Sequence, residues 1–423
     1  MTAQRRIAFA TSTRADYGPA RWVLADLRER SDVDLTIVAT GTHLDPAHGH
    51  TVDEIRADGH RAIITVPVRI GSDDAGDRAA WLADWLVGAT VALEETRPDL
   101  LILLGDRFET LIAAQAATLV GIPLAHLHGG EKTSGAIDDS IRHAITKLSH
   151  VHLAASAEYA RRIRQMGERH VHTVGSPGLC ALEREPHLTD GELAELVGRA
   201  ITRPYVVVTY HPVTAVGPAR SMAGVTALID ALSQRPDLDV IVTGVNVDPG
   251  FAAIADALRT FAKNAGPRVQ VVDSLGNRGY LSLLRGAAAC VGNSSSGIVE
   301  APALGVPTVN IGPRQDGRLR AASVIDVPED SHAILAALAR AEDPAFIAQA
   351  QRQEPPYGRP GASRRIADLL ATMDLSGLLA KDFVDCPAPG CALDSTPEPD
   401  TTSNSATNTA TNTAMNTATN GPV

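Results

Sequence analysis

Residues 100–131 read LLILLGDRFETLIAAQAATLVGIPLAHLHGGE. A continuous apolar run (LLILLG, 100–105), a longer helical stretch and a second run (PLAHLH, 123–128) make a strand–helix–strand unit. Runs this short and this apolar are buried on both faces, as in a parallel sheet covered by helices. The same rhythm extends upstream through IAFAT (7–11) and LTIVAT (35–40) and downstream to VHLAAS (151–156). Between Ala79 and Glu95, Trp81 pairs with Trp85 and Leu82 with Leu86 at i, i+4 spacing, which predicts a helix whose apolar stripe packs on the sheet. Around 175–202 the rhythm breaks at a plausible domain joint. It resumes with YVVVTY (205–210), VIVTG (240–244), VQVVDS (269–274), ACVGNS (289–294) and TVNIG (308–312). Two α/β series of similar size predict two Rossmann-like domains.

The bulk numbers fit this. A chain of 423 residues with 44% hydrophobic and 21% charged side chains has room for two or three domains with proper cores. Its formal net charge of −11 argues against a nucleic-acid surface, which needs clustered Lys and Arg. No stretch approaches the roughly 18 apolar residues of a membrane span, and the N-terminus does not read as a signal peptide. Cys180, Cys290, Cys386 and Cys391 are too few and scattered for a disulfide framework, so a reduced, cytoplasmic setting is expected. From Asp382 onward, CPAPGCALDSTPEPD and TNTATNTAMNTATN have almost no core-forming side chains, and a disordered tail over 382–423 is expected.

Ligands of open α/β sheets bind at the carboxyl ends of the strands, so residues directly after strands carry the chemistry. Neither GxGxxG nor GxxxxGK[ST] follows any strand here, which removes support for a dinucleotide or a P-loop. Arg14, in TSTRADYG, could clamp a phosphate or be an ordinary surface arginine. Asp106, beside Arg107, could be a base or half of an ion pair. The densest stretch runs from His126 through His128, Glu131, Asp138 and Asp139 to Arg142 and His143. Asp138 could merely cap a helix. His126 and His128 with a carboxylate could ligate a metal, a reading ranked below acid–base use because no ligand-spacing motif completes it. So many ionisable groups beside two glycines favour a working site over a structural one. His211, after YVVVTY, could neutralise a leaving diphosphate or be a structural histidine. GNSSSGIVEAP (292–302) reads as a strand, a hydroxyl-rich turn and a helix start suited to phosphate, with Glu300 suited to ribose hydroxyls; the plainer reading is a serine cap and a solvated Glu. Arg314 is one more cation at a strand end.

Together these segments resemble the UDP-N-acetylglucosamine 2-epimerase family, and within it the hydrolysing branch that feeds sialic-acid synthesis. The resemblance is carried by RADYG (14–18), GTHL (41–44), GDRFE (105–109), HLHGGEKTSGAIDDSIRHAITKLSH (126–150), YHPVT (210–214), GNSSSGIVEAPALGVPTVNIGPRQDGR (292–318) and ASVIDV, in order over about residues 5–375. It implies a GT-B-type pair of Rossmann-like domains (1–178 and 179–355) with the active site in the cleft between them. It further implies a C-terminal helix within 356–381 returning to the first domain. The implied reaction eliminates UDP across C1–C2 to give 2-acetamidoglucal and then adds water, releasing N-acetylmannosamine, with no metal or other cofactor. By position, Asp106, Glu131, Asp138 and His211 fall among the family's catalytic residues. Arg14, His43, Arg107, His128, Arg142, Asn293, Ser294, Ser295, Glu300 and Arg314 fall among those that hold the nucleotide sugar. A homodimer is implied as well.

The non-hydrolysing branch has Glu where His128 stands and an HRxEN-type segment at His211-Pro-Val-Thr, so HxHGGE points to the hydrolysing branch and leaves open whether Glu131 or His128 replaces that carboxylate. Open alternatives are a GDP- or UDP-linked diacetamido-trideoxy sugar as substrate, a GT-B glycosyltransferase, and a non-catalytic nucleotide-sugar sensor. The intact acidic residues speak against the sensor.

Overall fold

The computed structural model of the chain describes residues 4–71, 74–133, 137–201, 204–213, 218–244 and 251–385. The first sheet has seven strands: β1 (Arg5–Thr11), β2 (Val33–Ala39), β3 (Ile63–Thr65), β4 (Leu100–Leu104), β5 (Leu124–Leu127), β6 (Val151–Ala154) and β7 (Val171–Thr173). The second has six: β8 (Tyr205–Thr209), β9 (Asp239–Thr243), β10 (Val269–Val272), β11 (Ala289–Gly292), β12 (Thr308–Ile311) and β13 (Val324–Val327). The orders are β3-β2-β1-β4-β5-β6-β7 and β10-β9-β8-β11-β12-β13, and every pairing is parallel. Each sheet therefore reverses its winding next to its first strand. Phe9 of β1 lies between Ile37 of β2 and Ile102 of β4, and Val207 of β8 between Ile241 of β9 and Cys290 of β11. At such a switch point neighbouring helices leave on opposite faces and a crevice opens at the carboxyl ends of the strands. The predicted pair of Rossmann-like α/β domains is what the chain adopts.

Burial explains why these runs are strands. All five residues of β4 and of β8 are buried, as a doubly covered central strand requires. The helix Ala75–Thr96 presents Trp81 and Trp85 to the core, and the Trp85 indole N–H donates to the Glu109 carbonyl (2.9 Å). That stripe is core. Beyond the second sheet, the helix Ala362–Thr372 buries Ile366, Ala367 and Leu370 in the same apolar cluster as Ile7, Phe9 and Leu24 of the first. Leu378 joins them.

The two halves share one further apolar cluster, in which Tyr159, Ile163 and Leu179 meet Leu281, Ile298 and Tyr357. The hydroxyls of Tyr159 and Tyr357 lie 2.9 Å apart. Two passages of the chain between the halves also touch. Ser176 N–H donates to the Tyr357 carbonyl (2.8 Å), and a Cβ on Gly358 would stand 3.2 Å from the Gly175 Cα. Both glycines have positive φ (85° and 80°), a backbone region that costs other residues. Of the tail expected from 382, the part beyond Asp385, with Cys386 and Cys391, lies outside the described residues. Phe383 and Val384 are in contact with Gly167, so ordered contacts run past the expected start of that tail.

Candidate active site

The carboxyl ends of β4 and β5 carry the acidic cluster. After β4, Gly105 turns with φ of 86°, Asp106 follows, and Arg107 stands at the start of the helix Phe108–Val120. The Arg107 side chain is half exposed and lies 3.5 Å from Glu109. Asp106 is paired with the guanidinium of Arg142, which is only 6% exposed and also reaches Asp139 (3.5 Å) and the Thr133 hydroxyl (3.1 Å). Burial raises the Asp106 carboxyl above the ordinary range against the opposing pull of Arg142, and the negative charges of Asp138 and Glu131 push it the same way. Asp138 itself is exposed. Asp139 makes a local backbone bond, accepting from Thr133 N–H (2.8 Å).

After β5 the chain enters a strained turn. His128 has φ of 63°, unusual for a side-chain-bearing residue, and its Nδ1–H donates to Glu131 Oε1 at 2.6 Å. Burial would raise the Glu131 carboxyl, but His128, with Arg318 and Arg142, holds it below the ordinary range. His126, two residues earlier, is 0% exposed. Its Nε2–H donates to the Gly105 carbonyl (2.8 Å), its Nδ1 faces the Thr146 hydroxyl (3.2 Å), and burial drives its pKa down to about 3. Both nitrogens are occupied, so His126 has none left for a metal. It braces the turn that carries Asp106.

On the second sheet, Asn293 is fully buried, with its amide clamped on the His211 backbone: His211 N–H donates to Oδ1 (2.7 Å) and Nδ2 donates to the His211 carbonyl (2.9 Å). The Asn293 carbonyl in turn accepts from Arg314 (3.1 Å) and Gln315 (2.8 Å). Burial, with Arg314 nearby, lowers His211 to about 4, so its ring is neutral at pH 7. The serine turn differs from expectation. Ser295–Gly297 is a single 3₁₀ turn capped by Ser294, and only the four-residue helix Glu300–Ala303 follows. So short a helix carries little dipole, and anion-binding capacity rests on hydroxyls and turn N–H groups. Glu300 is half-buried, its carboxyl is raised by burial, and its buried Oε2 has no hydrogen-bond partner.

Among the sequence-predicted residues, Arg14 and Glu300 line one cleft of about 620 Å³ between the halves, together with Tyr17, Trp22 and Asn277. Arg14 is two-thirds exposed and paired with Glu54. Asp106, Glu131, Asp138, His128 and Arg142 form a second group, and His211, Asn293 and Arg314 a third. Two of the residues expected to contact substrate turn inward. His43 is 0% exposed. Because the Thr11 hydroxyl donates to Asp16 (2.7 Å), His43 Nε2–H donates to Thr11 Oγ1 (2.9 Å) and Nδ1 accepts from Thr51 (2.7 Å). It braces the loop after β1 and has no free atom for a ligand. Asn293 likewise spends its amide on His211. Arg318 was overlooked, although it sits four residues after Arg314. Its charge acts on both Glu131 and Glu300, so it ties the first sheet's carboxylates to the second sheet's serine turn.

A family model described as UDP-N-acetylglucosamine 2-epimerase matches residues 25–371. The chain belongs to this family. It is 34% identical over 394 residues to the polysialic acid biosynthesis protein P7 of Escherichia coli, covering 90% of this chain and 98% of that protein. It is 35% identical over 373 residues to the UDP-N,N'-diacetylbacillosamine 2-epimerase (hydrolyzing) of Legionella pneumophila, covering 88% and 97%. In fold it is similar to the UDP-GlcNAc 2-epimerase of Neisseria meningitidis crystallised with UDP-GlcNAc, with a TM-score of 0.69, 17% identity and coverage of 86% and 99%. The GT-B-type arrangement of two Rossmann-like domains is thereby shown. Membership makes the chain an epimerase-family enzyme acting on nucleotide sugars.

Proposed function

We propose that this family member is the hydrolysing UDP-N-acetylglucosamine 2-epimerase, releasing UDP and N-acetylmannosamine for sialic-acid-type synthesis in the cytoplasm. The observation that supports the reading is a pair of inventories, one at the strand ends of each sheet. Carboxylates clasped by Arg142 stand after β4 and β5, and the serine turn with the unpartnered Glu300 oxygen stands after β11. Breakage of C1–O sends its electron pair to UDP while a carboxylate takes the C2 proton, leaving 2-acetamidoglucal. Water then supplies hydroxyl to C1 and a proton reaches C2 from the opposite face. Asp106, its carboxyl raised above the ordinary range by burial, is suited to take the C2 proton, with Asp138 beside it for the return from the other face. Neutral His211, Arg14 and Arg314 meet the departing diphosphate. The Glu131–His128 pair fills the place of the non-hydrolysing branch's carboxylate, Glu131 staying ionised. Incubation with UDP-N-acetylglucosamine in D₂O, followed by NMR, should show free N-acetylmannosamine with deuterium at C2. Product without deuterium would refute the elimination, and transfer to an acceptor would identify a glycosyltransferase.

A second substrate is favoured by one observation: the diacetylbacillosamine epimerases are as similar to this chain as the P7 protein is. Parallel assays with UDP- and GDP-linked diacetamido-trideoxy sugars separate the two. The enzyme is proposed to work as a homodimer through the helices Ala75–Thr96 and Phe108–Val120. Val87, Val91 and Leu119 are 65%, 48% and 71% exposed there, and no charged residue occurs from Thr110 to Ala125.

A further inference from the structure

The helix Ile137–Leu148 carries Asp138, Asp139 and Arg142 in its first turns, and its other end is held by a segment far away in sequence. After the helix Ala362–Thr372, the chain buries Leu378 in the first core and then crosses the end of this helix. There the Lys381 ammonium donates to the carbonyls of Lys147 and Ser149, both at 2.6 Å, and pairs with Glu168 at 2.5 Å. Three acceptors match the three N–H bonds of an ammonium. Two of them are carbonyls that a helix C-terminus leaves without intrahelical partners. The Glu168 side chain is 0% exposed and is also met by Lys147 and by His152 Nε2 (3.2 Å). Burial would raise its carboxyl, yet these partners draw it down to about 2. Phe383 and Val384 fasten the strap further. The Phe383 ring lies 4.8 Å from the Lys147 ammonium, and Val384 N–H donates to the Gly167 carbonyl (3.1 Å). A Cβ at Gly167 would sit 2.7 Å from that ring, so the contact needs glycine.

We infer that the 377–384 strap is part of the catalytic apparatus and that Lys381 is a positioning residue, fixing the helix that presents Asp138 and Arg142 to Asp106. The inference rests on the proposed reaction for its kinetic readout. Two paths run from the clamp to Asp106. Arg142, five residues before Lys147 on the same helix, is paired with Asp106 itself. Thr146, next to Lys147, meets His126, whose other nitrogen donates to the carbonyl of Gly105, the residue before Asp106. A small shift of this helix would therefore move both the arginine and the turn that aim the carboxyl. Misplacement by about 1 Å is enough to cost roughly 10²-fold in rate.

The test uses the full chain with Lys381→Met. kcat should fall at least about tenfold, while KM and UDP affinity by calorimetry stay within about twofold, because the second-sheet serine turn is untouched. Amide hydrogen exchange should speed up across 137–149 and not in the second sheet. Lys381→Met combined with Glu168→Gln removes the buried carboxylate that would otherwise be left one partner short, and should recover the Tm without recovering kcat or exchange protection. Lys381→Arg keeps the charge and serves as the folded variant should the methionine one not fold; a planar fork matches three convergent acceptors poorly, so its changes should run the same way. Unchanged kcat and exchange in these variants, or Tm and kcat returning together in the double variant, would overturn the inference. If the unaltered enzyme turned over none of the nucleotide sugars, the proposed reaction would fail instead, and exchange across 137–149 would still decide the role of Lys381.

Discussion

Asp106 and its neighbours show what residue types in order can reveal and what only burial adds. Asp106, Glu131, Asp138 and Arg142 were legible because four ionisable groups beside strand ends and glycines have little structural use. The hydrogen bonds of His43 and Asn293 close inward, onto Thr11 and Thr51 and onto the His211 backbone, and sequence carries no sign of which way a polar side chain points. In the proposed reaction, Asp106→Asn should lower turnover by about 10²–10⁴-fold while UDP still binds. Supplied 2-acetamidoglucal tells a failed elimination from a failed hydration, and near-normal turnover in both Asp106→Asn and Asp138→Asn would end this assignment. The pH profile follows with a definite sign. A base must be ionised, and Asp106 has its pKa raised, so the acid limb of kcat should lie above the ordinary 3.8 of an aspartic acid. His211 is already neutral above about pH 4 and should add no limb near neutrality.

Among the elements, ten strands stand close to where their apolar runs predict, and the ones without a predicted run are β3, β7 and β13. All three are sheet edges of three or four residues. An edge strand is covered on fewer sides, so IIT, VHT and VIDV are only partly buried and show no continuous apolar run. Central strands such as LLILL announce themselves because both faces and both edges are enclosed. The serine turn failed in the opposite way: its residues suggested a full helix start, and the fold spends them on one 3₁₀ turn. Its proposed role is therefore sharper. With little dipole to help, Ser294→Ala combined with Glu300→Gln should weaken UDP binding by roughly tenfold or more, since each lost hydrogen bond to a charged or enclosed group is worth about 1.5–3 kcal/mol. The Tm should change little. Unaltered UDP affinity in calorimetry would move the nucleotide elsewhere in the cleft.

Taken as a whole, the molecule hides several neutral histidines, and its acid stability should show it. His126, His211, His60 and His150 have pKa values lowered by burial to about 3 to 4, against 6.5 when unfolded. Below pH 6.5 the unfolded chain binds protons that the folded chain refuses, so stability falls as pH drops through 6.5 toward 4. Glu168 adds to the loss from about 4.5 down to about 2, where its folded carboxyl finally protonates. The Tm should thus decline more steeply from pH 6.5 to 4.5 than from 8 to 6.5, and a flat profile would mean that these rings stay accessible. Assembly has its own test. Val87→Glu with Leu119→Glu should convert the proposed homodimer to monomers in sedimentation, whereas a monomeric unaltered enzyme would retire it. The chain's end brings the scales together. The compact unit ends at Val384, and composition alone places the start of the tail three residues before Asp385, at Asp382, although Phe383 and Val384 still pack on Gly167. A chain ending after Val384 should keep the turnover and Tm of the full protein. A chain ending after Ser376 loses Leu378 from the first core and Lys381 from Glu168, leaving a buried carboxylate short of a partner. Such a loss is strongly destabilising, and both Tm and turnover should fall. Equal behaviour of the two shortened chains would show that the strap is dispensable, while a loss in the longer one would assign work to residues beyond 384.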